Sequence, residues 1–324
     1  MGQSVKEGIL ELRNIHKRFH LKSTFSSRGG VVKAVSGVTM SLSRGDSFGL
    51  VGESGCGKTT LGRVAIRLLR ADEGRVHFDG LDITEIPERK LRPLRRRMQI
   101  IFQDPYSSLN PRMRVESIIG EGMLIHNLVD RGELKDAVAE VLGRVGLSPD
   151  AMSRYPHEFS GGQRQRVCIG RAIALKPDLI VADEPLSALD VSIQAQILNL
   201  LVEIREAMGV AYLFISHDLR VVNLLCNKVA VMYLGEIVET GDCDLIFHDP
   251  RHPYTKALIG AIPRPVPGKK GRKIVLSGDI PSPIFPPPGC SFHTRCPIAG
   301  AICEKEEPLL REVGGRLVSC HFAK

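Results

Sequence analysis

Gly52-Glu-Ser-Gly-Cys-Gly57-Lys58-Thr59 constrains this chain more than any other segment, because it matches the pattern G-x-x-x-x-G-K-[ST]. A loop that wraps phosphate groups needs backbone N–H groups pointing inward at close range. Gly52, Gly55 and Gly57 remove the side chains that would obstruct that approach. Glu53, Ser54 and Cys56 complete the loop. Lys58 offers a point charge to β- and γ-phosphates, Thr59 offers a hydroxyl to Mg²⁺, and Thr60 carries on into a helix whose positive end faces the anion. The flanks agree: Asp46 to Val51 reads as a short buried strand, and Thr59 to Leu69 has helical character. Strand, glycine loop and helix together predict a nucleotide-phosphate site in an α/β fold.

A second carboxylate-bearing strand supports this reading. Asp178 to Asp183 is an apolar run that closes on Asp183-Glu184, placing two acids at the C-terminal end of a strand, where open α/β sheets bind ligands. Asp183 is the natural partner for Mg²⁺ through water, which leaves Glu184 to orient and deprotonate an attacking water. Leu10 to Ile15 and Val31 to Leu42 alternate with the period of half-buried strands, with a loop between them from His20 to Gly30. Residues 104 to 170 turn helical, with helices expected over Arg114–Leu128 and Gly132–Val145. A striped helix, Ser192–Met208, separates Asp178–Asp183 from a further strand, Val210–Ser216. Strands alternating with helices predict a mostly parallel sheet covered on both faces.

Ahead of the second acidic strand stands Phe159-Ser160-Gly161-Gly162-Gln163. Ser160 and two glycines opening a helix make a second anion site, and the motif resembles the signature sequence of ABC-transporter nucleotide-binding subunits, with Phe159 where Leu is commoner. The resemblance implies a P-loop NTPase (RecA-like) core carrying an antiparallel β subdomain and a helical signature subdomain at about 104–170. It also implies a head-to-tail dimer, in which Ser160 to Gln163 of one subunit completes the ATP site of the other. Gln103 looks like the glutamine that contacts Mg²⁺ and water and links the site to the transmembrane partner. Asp190, in Ser187-Ala-Leu-Asp190, resembles the loop that crosses the dimer interface, and His217 the switch histidine at the γ-phosphate. Phe19 is the candidate adenine-stacking aromatic, with Phe25 as its rival.

The stretches Ser187 to Gln196, Phe102 to Pro111 and His252-Pro-Tyr-Thr255 narrow the resemblance to the ATPases of oligopeptide/dipeptide importers. That family implies a related second ATPase, two membrane permeases and an extracytoplasmic binding protein. Nickel and glutathione importers use the same ATPase type, so the substrate stays open. Segment 104 to 125 is where such a subunit receives a permease coupling helix.

Composition changes near residue 246. Twelve of the chain's 20 prolines fall between Pro250 and Pro308, Gly268 to Lys273 adds a basic turn, and continuous helix or central strand is not expected there. The expected division is a nucleotide-binding domain over 1–245 and a small irregular Pro- and Cys-rich domain over 246–324. Four of the eight cysteines, Cys290, Cys296, Cys303 and Cys320, lie in that tail. Their spacing lacks the Cys-x2-Cys pairs of zinc ribbons. The resemblance points to a [4Fe–4S] cluster before zinc, with His293 and His321 as substitute ligands and free thiols as the alternative.

With 43% hydrophobic and 25% charged residues the chain has a globular composition. No segment approaches the roughly 20 apolar residues that span a bilayer, and the start lacks a signal-peptide stretch. These features predict a cytosolic chain held peripherally at the inner face of the membrane by its partners. The net charge of +8 peaks at Arg89 to Arg97, which lacks the interleaved aromatics of a nucleic-acid platform. Nucleic acid is therefore not an expected partner. A soluble ABC ATPase acting on nucleic acid or ribosomes usually carries two cassettes or a long coiled coil, and neither is present.

Overall fold

The computed structural model describes residues 8–21, 30–187, 189–262 and 278–324. Phe25 and the basic turn at 268–273 lie outside the described residues. The chain forms two compact units. One holds residues 8–9, 42–46, 79–187 and 189–214; the other holds 10–21, 30–41, 47–78, 215–262 and 278–324.

In the first unit, residues 211–214 of the strand Ala211–Ser216 neighbour Leu179–Asp183, which pairs in parallel with Met98–Ile101. The first two strands are buried at every position, as their unbroken apolar sequence predicts for a parallel sheet covered on both faces. Helices Val115–Ile125, Leu134–Arg144 and Gly161–Ile173 bury Ile118, Ile119, Val138, Leu142, Val167 and Ile169. Helix Val191–Met208 ends at Gly209, whose φ of 65° supplies the left-handed cap that stops it. Much of the basic run is engaged here. Arg97 binds Asp79 at 2.6 Å and also Asp178, and the guanidiniums of Arg97 and Arg44 on Asp79 hold its carboxyl below the usual range. Arg95 pairs with Glu88 at 2.9 Å, and Arg96 Nε donates to the Leu175 carbonyl at 3.3 Å.

In the second unit, strand Gly8–Leu21 lies between Gly30–Ser43 and Glu73–Phe78, antiparallel to the latter. The alternation expected over Leu10–Ile15 breaks at Asn14. That residue takes a left-handed φ of 50°, and the register shifts between Arg13 and His16. This bulge turns Ile15 onto the buried face. A second sheet of the unit runs in the order Leu310–Val313, Arg316–Ser319, Glu236–Asp242, Lys228–Tyr233 and Ser47–Val51. The last two pair in parallel, Phe48 with Lys228 through Val51 with Val231.

The terminal hairpin forms beyond Pro308, the last proline, and occupies the sheet edge. It turns on Gly314-Gly315, with φ of 57° and 77°, as a two-residue loop with both central φ angles positive requires. Arg316 reaches Glu239 across the sheet at 4.0 Å, with both side chains almost fully buried. The Glu239 carboxylate also accepts the backbone N–H groups of Arg251 (2.9 Å) and His252 (3.0 Å), which anchors the start of the proline-rich region to the strand.

Glu236, at the head of the same strand, accepts a hydrogen bond from Ser291 Oγ at 3.0 Å. Burial, reinforced by the charge of Glu307, pushes its carboxyl up to about 7. The folded chain therefore holds a proton that the unfolded chain releases, and stability is lost as pH rises from the ordinary value of 4.5 toward 7. Glu236→Gln is expected to raise the melting midpoint at pH 8 by about 5 °C, and by much less at pH 5. Thermal melts of the full chain at both pH values measure the difference.

Candidate active site

The phosphate loop leaves the buried strand Ser47–Val51 and enters helix Lys58–Ala65. At Gly52 (φ 154°) a Cβ would lie 2.2 Å from the Met232 carbonyl oxygen, and at Gly57 (φ 106°) 2.0 Å from that of Ala34. Both glycines are dictated by neighbouring backbone as much as by any ligand. Gly55 also has positive φ (80°), but its Cβ position faces open space.

Lys58 is 5% exposed, and its Nζ donates to the Gly52 and Glu53 carbonyls, each at 2.9 Å. The ammonium is thereby held against the loop. Cys56 packs beneath it, and burial pushes its thiol up, so the residue stays neutral. Ser54 and Gly55 are exposed at the tip, while Thr59 and Thr60 are half-buried on the first turn of the helix.

Phe19 is 38% exposed on its strand, with Lys17 Nζ 5.6 Å from the ring centroid. It thus offers an accessible aromatic face. His217 is exposed in the turn between strand Ala211–Ser216 and helix Leu219–Leu225. Asp218 tightens that turn, donating its N–H to Ser216 Oγ at 2.9 Å and capping the helix through the Arg220 N–H at 2.9 Å.

Gln103, Asp183, Glu184, Asp190 and Ser160 to Gln163 belong to the other unit. Asp183 is 2% exposed at the end of its strand. Glu184 takes a left-handed φ of 46°, uncommon for a side chain of this kind, and its carbonyl accepts both the N–H (3.2 Å) and the Oγ (3.0 Å) of Ser187. This turn swings the Glu184 side chain out of line with the strand. Gln103 Nε2 then donates to Glu184 Oε2 at 3.0 Å, so two residues 81 positions apart are brought together. Asp190 is exposed and sits at the N-cap of helix Val191–Met208.

The glycine pair after Ser160 opens helix Gly161–Ile173 through a capping box. Gln163 N–H donates to Ser160 Oγ at 3.4 Å, and Ser160 N–H donates to Gln163 Oε1 at 3.1 Å. A Cβ on Gly162 would lie 2.6 Å from Ile193 Cγ2, so helix packing requires this glycine. Phe159, the departure from the commoner leucine, is 4% exposed with the Arg154 guanidinium over its ring at 4.2 Å. It fills a core position, which any large apolar residue can do.

Two contacts to the loop had no sequence signal. The Glu53 N–H donates to Tyr254 Oη at 2.9 Å, and the Glu53 carboxylate accepts both terminal nitrogens of Arg295, at 2.7 and 3.1 Å. A tyrosine 201 residues away and an arginine 242 residues away carry no spacing rule that would have pointed to them.

Residues 35–187 match the family model described as ABC transporter, and residues 238–303 match that described as Oligopeptide/dipeptide transporter, C-terminal region. The Oligopeptide transport ATP-binding protein AppF of Bacillus subtilis (strain 168) is 50% identical to this chain over 329 residues, covering 99% of each. The chain belongs to the ATP-binding proteins of oligopeptide-type ABC transporters. The Probable peptide ABC transporter ATP-binding protein y4tS of Sinorhizobium fredii is 47% identical, covering 98% of this chain and 90% of that one. Among solved structures, cbiO1 from Clostridium perfringens, part of the ABC transporter complex cbiONQ, aligns with a TM-score of 0.64 and 27% identity over 75% of this chain and 92% of its own. The dimeric cassette MJ0796 bound to ADP and Pi aligns with the same score at 25% identity, over 72% and 98%. The expected α/β cassette fold is therefore the one found.

The tail cysteines do not fit a metal site as they stand. The Cys290 N–H donates to the Cys303 carbonyl at 2.8 Å, and Cys320 packs with Val313, Val318 and Ala323. His293 Nδ1 and His321 Nε2 are each engaged by a backbone carbonyl at 2.9 Å. Burial, with the neighbouring thiols of Cys303, Cys296 and Cys320, pushes the Cys290 thiol up to about 11. Among the described residues no three His, Cys, Asp or Glu side chains are arranged to hold a metal ion.

The loop geometry separates its glycines experimentally. Gly57→Ala is expected to cost at least about 3 kcal/mol and to abolish ATP binding, whereas Gly55→Ala is expected to cost about 1 kcal/mol through its backbone angle alone. Urea denaturation and equilibrium nucleotide titration of both variants measure the contrast.

Proposed function

We propose that this chain is the ATP-hydrolysing subunit that powers peptide import through a membrane ABC transporter. The observation that carries the reading is the near-complete coverage at 50% identity with an oligopeptide transport ATP-binding protein, together with the separate match of residues 238–303 to the C-terminal region of such transporters. The second match favours peptides over the other cargoes served by the same ATPase type.

In this reading Lys58 and the loop N–H groups bind the β- and γ-phosphates, and Phe19 stacks on adenine. The hydroxyl of Thr59, the carboxylate of Asp183 and the amide oxygen of Gln103 are hard oxygen donors that suit Mg²⁺, which when bound neutralises charge on the phosphates. Glu184 is the general base for the attacking water, and His217 orients the γ-phosphate. The Gln103 to Glu184 hydrogen bond supports this assignment, because it fixes the direction of the base through a residue that also senses the permease segment at 104–125. Ser160 to Gln163 act on the ATP of a second, related ATPase subunit, with Asp190 at the interface between the two. Two permeases and an extracytoplasmic binding protein complete the importer.

No helix among the described residues is long and apolar enough to cross a membrane. Attachment to the cytoplasmic face of the inner membrane through the permeases is in keeping with that.

Glu184→Gln is expected to bind ATP with near-normal affinity while turnover falls at least about a hundredfold, the scale of a lost general base. Phosphate release and nucleotide titration on the purified transporter test it, and substantial remaining hydrolysis overturns the assignment. Uptake of labelled di- and oligopeptides into vesicles holding the complete complex tests the cargo, and nickel or glutathione uptake without peptide uptake overturns that part.

A further inference from the structure

Glu53 is an awkward residue for its position. It is the second residue of a loop that receives a polyanion, and it adds a carboxylate there. The structure cancels that charge from a remote part of the chain. Arg295 grips Glu53 through two parallel hydrogen bonds, Nη1 to Oε2 at 2.7 Å and Nη2 to Oε1 at 3.1 Å. The side chains are only 7% and 25% exposed, so the pair is little screened by solvent and far stronger than a surface contact. Arg295 is held from behind. The 3-10 turn His293–Arg295 follows Phe292, which is 1% exposed and packs edge-on against Tyr233 at 5.3 Å and against Tyr254 at 5.4 Å. Tyr254 in turn accepts the Glu53 N–H, and its own helix, Pro253–Gly260, is capped by His252 through the Tyr254 N–H at 3.1 Å. Both the backbone and the carboxylate of Glu53 are thus fixed by residues from beyond position 250.

We propose that Arg295 is a positioning residue for nucleotide binding: it neutralises and orients Glu53, so that the C-terminal region forms a working part of the phosphate loop. Without the guanidinium, an uncompensated carboxylate beside the loop repels the triphosphate and the loop loses one of its two ties to residues beyond position 250. The proposal rests on the reading of Gly52 to Thr59 as the ATP phosphate loop.

The test is ATP titration and steady-state hydrolysis with the purified transporter that holds the full-length chain. Arg295→Ala is expected to raise KM for ATP about tenfold while kcat falls less than about threefold, the split for a group acting on binding rather than on the reacting atoms. The double variant Arg295→Ala with Glu53→Gln removes the repelling charge as well, and is expected to return KM to within about threefold of the parent. A role confined to holding the fold predicts no such rescue. An unchanged KM in Arg295→Ala, or a double variant as impaired as the single, overturns the proposal. If Arg295→Ala does not fold, Arg295→Lys keeps the charge without the fork and is expected to raise KM about threefold, with a parental KM overturning the proposal. Lys58→Ala separates the two layers. Loss of ATP binding in Lys58→Ala beside parental binding in Arg295→Ala refutes only the role of Arg295, whereas parental binding in Lys58→Ala refutes the phosphate-loop reading and the proposal with it.

Discussion

The phosphate loop is shaped first by backbone contact. At Gly52 and Gly57 the carbonyls of Met232 and Ala34 stand where a Cβ would have to go, the first on strand Lys228–Tyr233 beside the loop's own strand and the second on Gly30–Ser43 of the other sheet. The loop is therefore moulded before any ligand arrives. Lys58 completes the mould from inside by bonding two of the loop's own carbonyls. Preformed N–H groups need no reorganisation to meet an anion, which is the physical advantage of such a loop over a flexible basic one.

The carboxylate end of the fold uses strain in place of close approach. Glu184 adopts a left-handed backbone for which side chains of its type carry a cost, and two hydrogen bonds from Ser187 to its carbonyl offset it. The outcome is a carboxylate directed at Gln103 rather than along the strand. A carboxylate aimed by a neighbour is held in one orientation, and motion of that neighbour changes its aim. On the proposed reading, in which the segment after Gln103 receives a permease and Glu184 is the base, the chemistry and the mechanical input share one hydrogen bond.

What the sequence revealed follows from range. The loop, the Asp183-Glu184 pair and the glycine-opened helix at 161 are local patterns whose function depends on residues within a few positions, and each is built as its pattern requires. Phe159 shows how a departure is absorbed, since a buried position asks only for apolar volume. The break at Asn14 was missed because a bulge shifts the alternation without changing the residues that alternate. The ties from Tyr254 and Arg295 were missed for a different reason. They span more than two hundred residues, and His252-Pro-Tyr-Thr255 was legible only as a likeness, with no hint that its tyrosine hydroxyl is a hydrogen-bond acceptor for the loop. The cysteine tail is a pattern that gains no support from the described residues. Four thiols in a short span suggest ligands, while Cys320 packs with Val313, Val318 and Ala323 and no three His, Cys, Asp or Glu side chains among the described residues are arranged to hold a metal ion.

The capping box at Ser160 joins these points. A helix start that is to bind the phosphate of another subunit, the role proposed for Ser160 to Gln163, must expose N–H groups, yet unsatisfied donors destabilise the helix while that subunit is absent. Ser160 and Gln163 settle the conflict by satisfying one another, and the Ser160 Oγ to Gln163 N–H contact is long at 3.4 Å. A weak internal bond is easily exchanged for a stronger one to a charged oxygen, since charge-assisted hydrogen bonds are roughly twice as strong as neutral ones. Gly161 and Gly162 keep side chains out of the way of that exchange, and Ile193 makes alanine at 162 sterically unfavourable. The same four residues can therefore stabilise the free subunit and yield to an anion without refolding, which is what the proposed completion of the site between two subunits requires.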